Sequence, residues 1–214
     1  MSNLLIFGAG GHGKVVSEIA LLSNFWKNIA FLDDREDLNE VLNISILGKL
    51  NDYNYFKQNF QYAFVAIGNN KLRLKWIELL SKEGFIMATL IHPFSSISKS
   101  STIGEGTVVM AGSVINADTR IGRGCIINTS SSIDHDCSLK DGVHISPGVN
   151  LGGTVTIDNC SWAGIGSSVI NNITIGSNVV LAAGAVVNKN IPDNVMVAGI
   201  PATIKKQVGV IEND

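Results

Sequence analysis

The 214-residue sequence lacks long apolar runs, a strong charge bias and closely spaced cysteines. No stretch approaches the roughly 20 apolar residues that cross a bilayer, and the first residues do not read as a signal peptide, so we expect a cytoplasmic protein. Lys and Arg total 16 against 18 acidic residues, which leaves no basic surface for nucleic acid. Cys125, Cys137 and Cys160 form no CxxC pair and are odd in number. We therefore expect free thiols rather than a disulfide framework or a zinc site.

What the sequence has instead is a six-residue repeat. From residue 97 to residue 187, every sixth position is aliphatic. These positions are Ile97, Ile103, Val109, Ile115, Ile121, Ile127, Ile133, Leu139, Ile145, Leu151, Ile157, Ala163, Val169, Ile175, Leu181 and Val187. Neither a helical period of roughly 3.6 nor a strand period of about 2 keeps such residues on one face, whereas a chain that turns a corner every six residues stacks them inward. Three hexads per coil predict a triangular β-helix of about five coils.

Two further positions of the hexad fit this geometry. The residue four places after the aliphatic is small or β-branched in most repeats, as at Ser113 and Thr119, and predicts a second inward column at a crowded corner. Glycine recurs directly after the aliphatic, as at Gly104 and Gly122. We expect these glycines to adopt a positive φ in the turns.

Residues 1–92 follow a different pattern, in which short apolar strands alternate with helical segments. Strands are predicted over 4–7, 29–32, 63–67 and 87–91, with helices after the first and the third. This alternation is typical of a small parallel α/β sheet that binds ligands at the carboxyl ends of its strands. His92-Pro93 and the serines that follow mark a boundary. The sequence therefore predicts two domains, 1–94 and 95–214.

A glycine cluster follows the first predicted strand. Gly8-Ala9-Gly10-Gly11-His12-Gly13 fits GxGxxG, and Asp33 comes some twenty residues later. Backbone N–H groups at such a helix start bind a pyrophosphate, which serves a sugar nucleotide as well as NAD. About ninety residues hold only half of a doubly wound fold, so we favour a sugar nucleotide over NAD. A glycine turn needed only for packing is the remaining alternative.

The chemistry of the repeat centres on His135, one of four histidines. It lies two places after an inward aliphatic, so it should face outward at a corner, with Asp136 after it and Gly153 one coil below. A histidine made more basic by a carboxylate can remove a proton from an amine or a hydroxyl as that group attacks a thioester. The N–H of Gly153 is a candidate donor to the oxyanion. Cys137, the competing nucleophile, falls in the small inward column and is expected to be a packing residue.

Taken together, these motifs resemble the bacterial sugar-nucleotide acetyltransferases of the bacillosamine, perosamine and sialic acid pathways, within the hexapeptide-repeat acyltransferases. The resemblance rests on the glycine cluster, Leu32-Asp33-Asp34, Ile67-Gly68-Asn69-Asn70, Asn128-Thr129-Ser130-Ser131, Asp134-His135-Asp136-Cys137 and the closing Val197-Ala198-Gly199-Ile200-Pro201-Ala202. It implies a Rossmann-like N-terminal domain followed by a left-handed parallel β-helix, an exception to right-handed crossover connections. It also implies acetyl-CoA as cosubstrate, no metal, and a homotrimer with the CoA groove between neighbouring prisms.

The same resemblance assigns roles to individual residues. His135 is implied to be the general base, and Asp136, where some members have Glu, the group that raises its basicity. The implied sugar-nucleotide residues, all in 1–94, are Gly10, Gly11, His12, Asp33, Asp34 and Gly68. The implied acetyl-CoA residues, in the catalytic domain 95–214, are His144, Gly153, Ile165 and Ala183. Lys189, Lys205 and Lys206 are either further contacts to the CoA phosphates or solvated surface residues.

The predicted reaction is transfer of acetyl from acetyl-CoA to the 4-amino group of a UDP-4-amino-4,6-dideoxy sugar by direct attack, in bacterial glycan biosynthesis. UDP is favoured because the motifs around Asn128 and His135 most resemble the bacillosamine branch. O-acetylation of a sialic-acid-type sugar and N-acetylation of a GDP-linked amino sugar are the alternatives within the family. A NAD-binding module on a structural β-helix and a non-catalytic nucleotide-binding scaffold are alternatives of another class. His135→Ala separates them, because only an enzyme loses turnover.

Overall fold

The computed structural model describes residues 2–208 and divides into two compact units, the first ending at Pro93 and the second beginning at Phe94. The first unit contains, in chain order, β1 Ser2–Phe7, α1 Gly11–Leu22, β2 Trp26–Leu32, β3 Glu40–Val41, β4 Ile44–Ser45, a 3₁₀ helix Leu50–Phe56, β5 Tyr62–Val65, α2 Asn70–Lys82, β6 Ile86–Met87 and β7 Leu90–Ile91. Four of these strands form a parallel sheet in the order β2-β1-β5-β6. The predicted α/β class is confirmed.

Strand β1 lies in the middle of this sheet and is buried. Leu4, Leu5, Ile6 and Phe7 are each 0% exposed, which explains why the strand is continuously apolar rather than alternating. The ring of Phe7 packs against Trp76 of α2, with centroids 5.6 Å apart. The glycine cluster leaves the sheet at the carboxyl end of this rigid central strand.

The sequence pattern missed two details of the first unit. The predicted strand 87–91 is wrong as a single strand, because β6 pairs with Tyr62–Ala63 and then ends, and β7 begins separately at Leu90. The hairpin β3–β4 was not predicted, because strands of two residues are too short to show a period. Its turn places Leu42 (φ 52°) and Asn43 (φ 60°) in the left-handed region, as a tight hairpin requires.

The second unit is a left-handed β-helix built from very short strands. Its strands are β8 Ser96–Ile97, β9 Thr102–Ile103, β10 Val108–Val109, β11 Val114–Ile115, β12 Arg120–Ile121, β13 Ile126–Ile127, β14 Ser132–Ile133, β15 Ser138–Leu139, β16 His144–Ile145, β17 Asn150–Leu151, β18 Thr156–Ile157, β19 Trp162–Ala163, β20 Ser168–Val169, β21 Thr174–Ile175, β22 Val180–Leu181, β23 Val186–Val187, β24 Val195–Ala198 and β25 Thr203–Gln207. Strands one coil apart pair in parallel, as Ile133 does with Leu151. The aliphatic residues of the hexads form one buried core cluster, as predicted.

The β-helix has about six turns rather than the expected five. One face stacks six strands, in the order β23-β20-β17-β14-β11-β8. The hexad phase ends at Val187, but the chain continues into one more turn, which is shorter than the others. Ile191 bridges Ile175, and Val197 pairs with Leu181, each 16 residues away instead of 18. The sequence period therefore underestimated the length of the stack.

The corner residues with a left-handed backbone lie three places after the aliphatic residue, not directly after it as predicted. Every sixth residue from Gly106 to Gly184 has a positive φ, including non-glycine residues such as Asp136 (φ 59°). The expected positive φ at Gly104 and Gly122 is wrong. These two positions require glycine because a Cβ would lie 2.5 Å from the carbonyl carbon of Gly122 and 2.7 Å from that of Lys140, respectively, in the next coil. Close stacking of coils, not turn conformation, excludes a side chain there.

Candidate active site

The corner after β14 carries an exposed histidine and carboxylate in direct contact. Ile133 points into the core and is 0% exposed, so the next residues turn the corner at the surface. Nδ1 of His135 lies 2.7 Å from Oδ2 of Asp136. The two side chains are 52% and 57% exposed, so both are accessible to a substrate.

The carboxylates around His135 make its imidazole a stronger base. The hydrogen bond to Asp136 and the negative charge of Asp134 raise the pKa of His135. Because a carboxylate is the partner of Nδ1, that nitrogen carries the N–H and Nε2 keeps the lone pair. Nε2 is therefore the atom that can accept a proton from a substrate.

Gly153 lies directly against this imidazole, one coil below. A Cβ at this position would be 2.6 Å from both Cε1 and Nε2 of His135, so no side chain fits under the ring. The adjacent Thr154 N–H donates to the carbonyl oxygen of His135 at 2.9 Å, which fixes the two coils together. Across residues 2–208, no acceptor binds the N–H of Gly153. A carbonyl or oxyanion placed there would find a donor.

Asn116 and Asp134 extend the cluster, although Asn116 was not selected from the sequence. Its Nδ2 donates to Oδ1 of Asp134 at 2.9 Å, and the same oxygen accepts the N–H of His135 at 2.9 Å. The signal that could have found Asn116 is its position one coil above Asp134 in the same column.

Cys137 is a packing residue, as expected. It is 1% exposed, its Sγ donates to the carbonyl of Gly152 at 3.2 Å, and burial raises the pKa of its thiol. A protonated thiol in the core is not a nucleophile.

The predicted acetyl-CoA residues divide between two corners of the prism. Gly153 lies with His135, whereas Ile165 and Ala183 lie at the preceding corner, separated from Gly153 by one face of the prism. Ile165 is 62% exposed, and its carbonyl accepts the N–H of Gly184 at 2.8 Å, so Ile165 and Ala183 form an exposed column on adjacent coils. His144 lies on the face that leads to this column. One chain thus does not bring all four residues together.

An aromatic residue not selected from the sequence lies beside His144. The ring of Trp162 stacks on the imidazole of His144, with centroids 5.7 Å apart and planes 17° apart. Its Nε1 donates to the hydroxyl of Ser146 at 2.7 Å, and the residue is 45% exposed. Its being the only aromatic residue of the repeat was the available signal. Lys189, Lys205 and Lys206 are all exposed.

In the first unit, the glycine cluster contains two kinds of glycine. Gly8 has a φ of 102°, and a Cβ on Gly13 would collide with the carbonyl oxygen of Gly8, so these two are required by the backbone. Gly10 and Gly11 have open space where a Cβ would be. Helix α1 begins at Gly11, so its first N–H groups face this open space. Packing thus requires the outer glycines, whereas Gly10 and Gly11 border open space.

Asp33 ties this loop to the end of β2. Its Oδ2 accepts the N–H of Ala9 at 2.7 Å, and its carboxylate binds the guanidinium of Arg35, with Nε 2.8 Å from Oδ1. Burial raises the pKa of Asp33, but the hydrogen bonds from Arg35 and Ala9 outweigh it and lower the pKa overall. The next residue, Asp34, accepts the N–H of Leu50 through its Oδ1 at 3.0 Å, where the 3₁₀ helix begins.

A cavity of about 340 Å³ opens beside the loop, at the lower end of the size range of ligand sites. It is lined by Ala9, Gly10, Gly11, Lys14, Arg35, Leu38, Glu40, Val41 and Leu42. Lys14 and Arg35 were not selected from the sequence, although Arg35 directly follows Asp33 and Asp34. Of the predicted nucleotide residues, Gly10 and Gly11 line this cavity.

His12 and Gly68 both interact with Arg73 in the first unit. Burial and the charge of Arg73 lower the pKa of His12 to about 4, so its ring is neutral at pH 7. Within the described part of the chain its buried Nε2 has no hydrogen-bond partner. Gly68 is open where a Cβ would be, and its carbonyl accepts from Arg73 at 3.2 Å. Arg73 is 0% exposed. Nothing in the sequence indicates that this arginine is buried, so it was not selected.

The described residues contain neither a candidate metal-binding cluster nor a helix able to span a membrane. Between residues 2 and 208 there is no cluster of three or more His, Cys, Asp or Glu side chains that could hold a metal ion. Neither helix of that range has the length and apolar character needed to cross a membrane.

Matches to known sequences differ in how much of the chain they cover. The family described as the PglD N-terminal domain matches residues 3–80. The UDP-N-acetylbacillosamine N-acetyltransferase of Bacillus subtilis (strain 168) is 41% identical over 115 residues, which cover 52% of this chain and 52% of that protein. The chain thus spans about half the length of this curated relative.

Solved structures match over nearly the whole chain. A variant of perosamine N-acetyltransferase from Caulobacter crescentus, in complex with CoA and GDP-perosamine, is 36% identical and has a TM-score of 0.92, covering 97% of this chain and 98% of that one. The acetyltransferase domain of PglB from Neisseria gonorrhoeae FA1090, in complex with acetyl coenzyme A, is 40% identical, also with a TM-score of 0.92, covering 95% of this chain and 98% of that one.

Proposed function

Because this chain belongs to the sugar-nucleotide acetyltransferases of the hexapeptide-repeat family, we propose that it transfers acetyl from acetyl-CoA to the 4-amino group of a UDP-linked 4-amino-4,6-dideoxy sugar. The observation that carries the proposal is the exposed pair of His135 and Asp136 above the bare backbone of Gly153. The bacillosamine enzyme of Bacillus subtilis supports the choice of UDP.

The chemistry is a direct transfer with His135 as general base. Its Nε2 takes a proton from the sugar amine while the amine nitrogen bonds to the thioester carbon. The N–H of Gly153 donates to the oxyanion that forms on the carbonyl oxygen. The C–S bond then breaks, the electron pair returns to sulfur, and the proton on His135 passes to the departing thiolate. Asp136 stabilises the imidazolium between the two proton transfers.

The first unit is proposed to bind the sugar nucleotide. The pyrophosphate would lie against the N–H groups at the start of α1, where Gly10 and Gly11 leave space for it. Lys14 and Arg35 line the same cavity and supply positive charge. In this proposal residues 1–94 select the acceptor and residues 95–214 bind acetyl-CoA and catalyse its use.

Acetyl-CoA is proposed to bind between two copies of the chain in a homotrimer. The residues expected to contact it lie at two corners of one prism, and in this proposal a second copy places its own set beside the set of the first copy. His135 and Gly153 would come from one copy, and Ile165 and Ala183 from its neighbour. His144 and Trp162 extend the second surface.

A GDP-linked amino sugar is the second candidate acceptor. It is favoured by the likeness to the Caulobacter enzyme, whose structure contains GDP-perosamine. The reaction at the amine is the same, so the two candidates differ only in the base that the first unit accepts.

The test is release of free thiol from acetyl-CoA with a panel of acceptors: a UDP-4-amino-4,6-dideoxy sugar, its GDP counterpart, and free and activated sialic acid. Wild type should turn over the UDP amine, and His135→Gln should lower kcat by roughly 100-fold or more, since a general base contributes on the order of 10² to 10⁴. His92→Gln, at a histidine outside the site, should retain activity. Nucleotide binding without thiol release from any acceptor would favour the non-catalytic scaffold instead.

A further inference from the structure

We infer that Asp134, held in place by Asn116, is a positioning residue for His135, so that the imidazole works between two carboxylates rather than one. This inference rests on the proposed role of His135 as the general base. It assigns functions to two residues outside the pair already described.

Asp134 makes hydrogen bonds through both its backbone and its carboxylate. Its N–H donates to the carbonyl of Leu151 at 3.1 Å, and its carbonyl accepts the hydroxyl of Thr119 at 2.7 Å. Its Oδ1 receives two donors, Nδ2 of Asn116 and the N–H of His135, both at 2.9 Å. The carboxylate therefore cannot rotate away without breaking two hydrogen bonds, and one of them belongs to the backbone that carries the imidazole.

Asn116 has a specific reason to be an amide. Its hydrogen bond, together with the one from the N–H of His135, lowers the pKa of Asp134 and keeps that carboxylate ionised. A cationic side chain in its place would cancel the charge of Asp134, and a carboxylate would repel it. A neutral donor holds Asp134 in position and leaves its full negative charge to act on the ring.

The charges that face His135 come mainly from its own corner. Asp136 binds Nδ1, and Asp134 acts through space. The coil above contributes the neutral Asn116 and, in the column of Asp136, the exposed carboxylate of Asp118. The coil below contributes only the backbone of Gly153 and the neutral Thr154.

Two carboxylates suit the proton transfer better than one. The ring is neutral before the reaction and positive while it holds the proton of the amine. Negative charge beside the ring stabilises only the second form, so it favours the step without binding the neutral state more tightly. The hydrogen bond from the backbone N–H of His135 to Oδ1 of Asp134 also limits the directions in which Nε2 can point.

The experiment compares Asp134→Asn with a matched control, Asp158→Asn. Asparagine keeps an acceptor for both donors and removes only the charge. Asp158 occupies the same hexad position as Asp134 at a different corner, with its N–H bonded to Ile175 in the same way at 2.9 Å. Each variant is titrated by NMR of its labelled histidines, with His135 assigned through His135→Ala, and its kcat/KM is measured against pH.

Asp134→Asn should lower the pKa of His135 and move the acidic limb of the kcat/KM profile to lower pH, because a weaker base loses its proton at lower pH. At pH 8 its kcat should be roughly tenfold below wild type, a part of the gain that a general base provides. Asn116→Ala should move both readouts in the same direction by a smaller amount, and Asp158→Asn should move neither.

An unchanged titration of His135 in Asp134→Asn overturns the inference, whatever the turnover. A shift of equal size in Asp158→Asn overturns it as well, since the effect would then be general. Loss of activity with neither shift would mean that Asp134 only supports the fold. A shifted titration in a protein that acetylates no acceptor would retain the link between Asp134 and His135 but refute the proposed function, so the two failures are distinguishable.

Discussion

The imidazole of His135 rests on the backbone of Gly153, where a methyl group would come within 2.6 Å of Cε1 and Nε2. The position of the imidazole thus depends on the absence of a side chain one coil away. His135, Asp136 and Gly153 could be selected from the sequence, because the hexad period alone predicts which residues share a corner. Asn116 and Trp162 were not selected. The sequence shows that Asn116 shares the column of Asp134 and that Trp162 is the only aromatic residue of the repeat, but the period leaves their contacts undefined.

Gly153→Ala should displace the ring and lower kcat by on the order of 100-fold, the effect expected of a misplacement of about 1 Å. Sugar-nucleotide binding should be unchanged, because the first unit is not altered. Thiol release and nucleotide titration measure the two quantities. Asn171→Ala, at the exposed position one coil further down, serves as the control. Normal turnover in Gly153→Ala would show that the ring does not act from this position.

His12 should make the first unit sensitive to acid. The unfolded chain binds a proton here below pH 6.5, whereas the folded chain binds it only near pH 4. The folded state therefore keeps its full stability above pH 6.5 and loses stability as the pH falls toward 4. Between pH 7 and pH 5 the free energy of unfolding should fall by about 2 kcal/mol through His12 alone. Denaturant unfolding followed by tryptophan fluorescence should show a smaller loss for His12→Gln than for wild type. An equal loss in wild type and His12→Gln would contradict this account.

At the scale of elements, the hexad predicted the β-helix because one aliphatic position per six residues is sufficient to specify a coil. It did not predict the final turn, where the spacing falls to 16 residues and the aliphatic phase is interrupted. The hexad pattern also predicted a positive φ for the glycines that follow the aliphatic positions, whereas the close approach of the next coil is what excludes a side chain there. The turn residue lies two places further on, and asparagine, aspartate and even Thr154 occupy it. The sequence alone could not separate a glycine required by φ from one required by the coil beneath.

This distinction gives a paired prediction. Gly122→Ala would place a Cβ 2.7 Å from the backbone of Lys140 and should destabilise the β-helix by roughly 1 to 3 kcal/mol. Gly148→Asn should change stability by less than about 0.5 kcal/mol, because its Cβ faces open space and Asn172 and Asn178 already occupy the same hexad position. Thermal unfolding followed by circular dichroism compares them. The reverse ranking would mean that φ, rather than stacking, limits these positions.

At the scale of the whole molecule, the proposed acetyl-CoA surface is divided between two corners of one prism. One corner has His135, the proposed base, and the other has the exposed aliphatic column of Ile165 and Ala183. The first unit and the β-helix are each recognisable from sequence, because their periods differ. How copies associate could not be derived from the sequence pattern, since the hexad specifies the inward residues and leaves the outward ones free.

Complementation between inactive variants tests the shared site. His135→Ala removes the base, and Ile165→Trp fills the column at the other corner without disturbing the core, because Ile165 is exposed. Each variant alone should be nearly inactive. Co-expressed in equal amounts, they should recover roughly a quarter of wild-type activity, the fraction of interfaces at which an intact base meets an intact column. Sedimentation of the wild type should give a species of about three times the mass of one chain. No recovery in a mixed trimer would mean that each site lies within one chain.

The regular corner has a further consequence for how proteins of this architecture can change length. Deleting six residues after Cys137 would keep every aliphatic residue inward and every left-handed position in phase, so the core would tolerate the loss. The imidazole of His135 would then stand over Asn159 instead of Gly153. Deleting a whole coil of 18 residues away from the site would leave both the core and the pairing intact. Heritable insertions and deletions in this repeat are thus constrained in two ways. Their length must be a multiple of six residues to preserve folding, and a multiple of eighteen to preserve the proposed site.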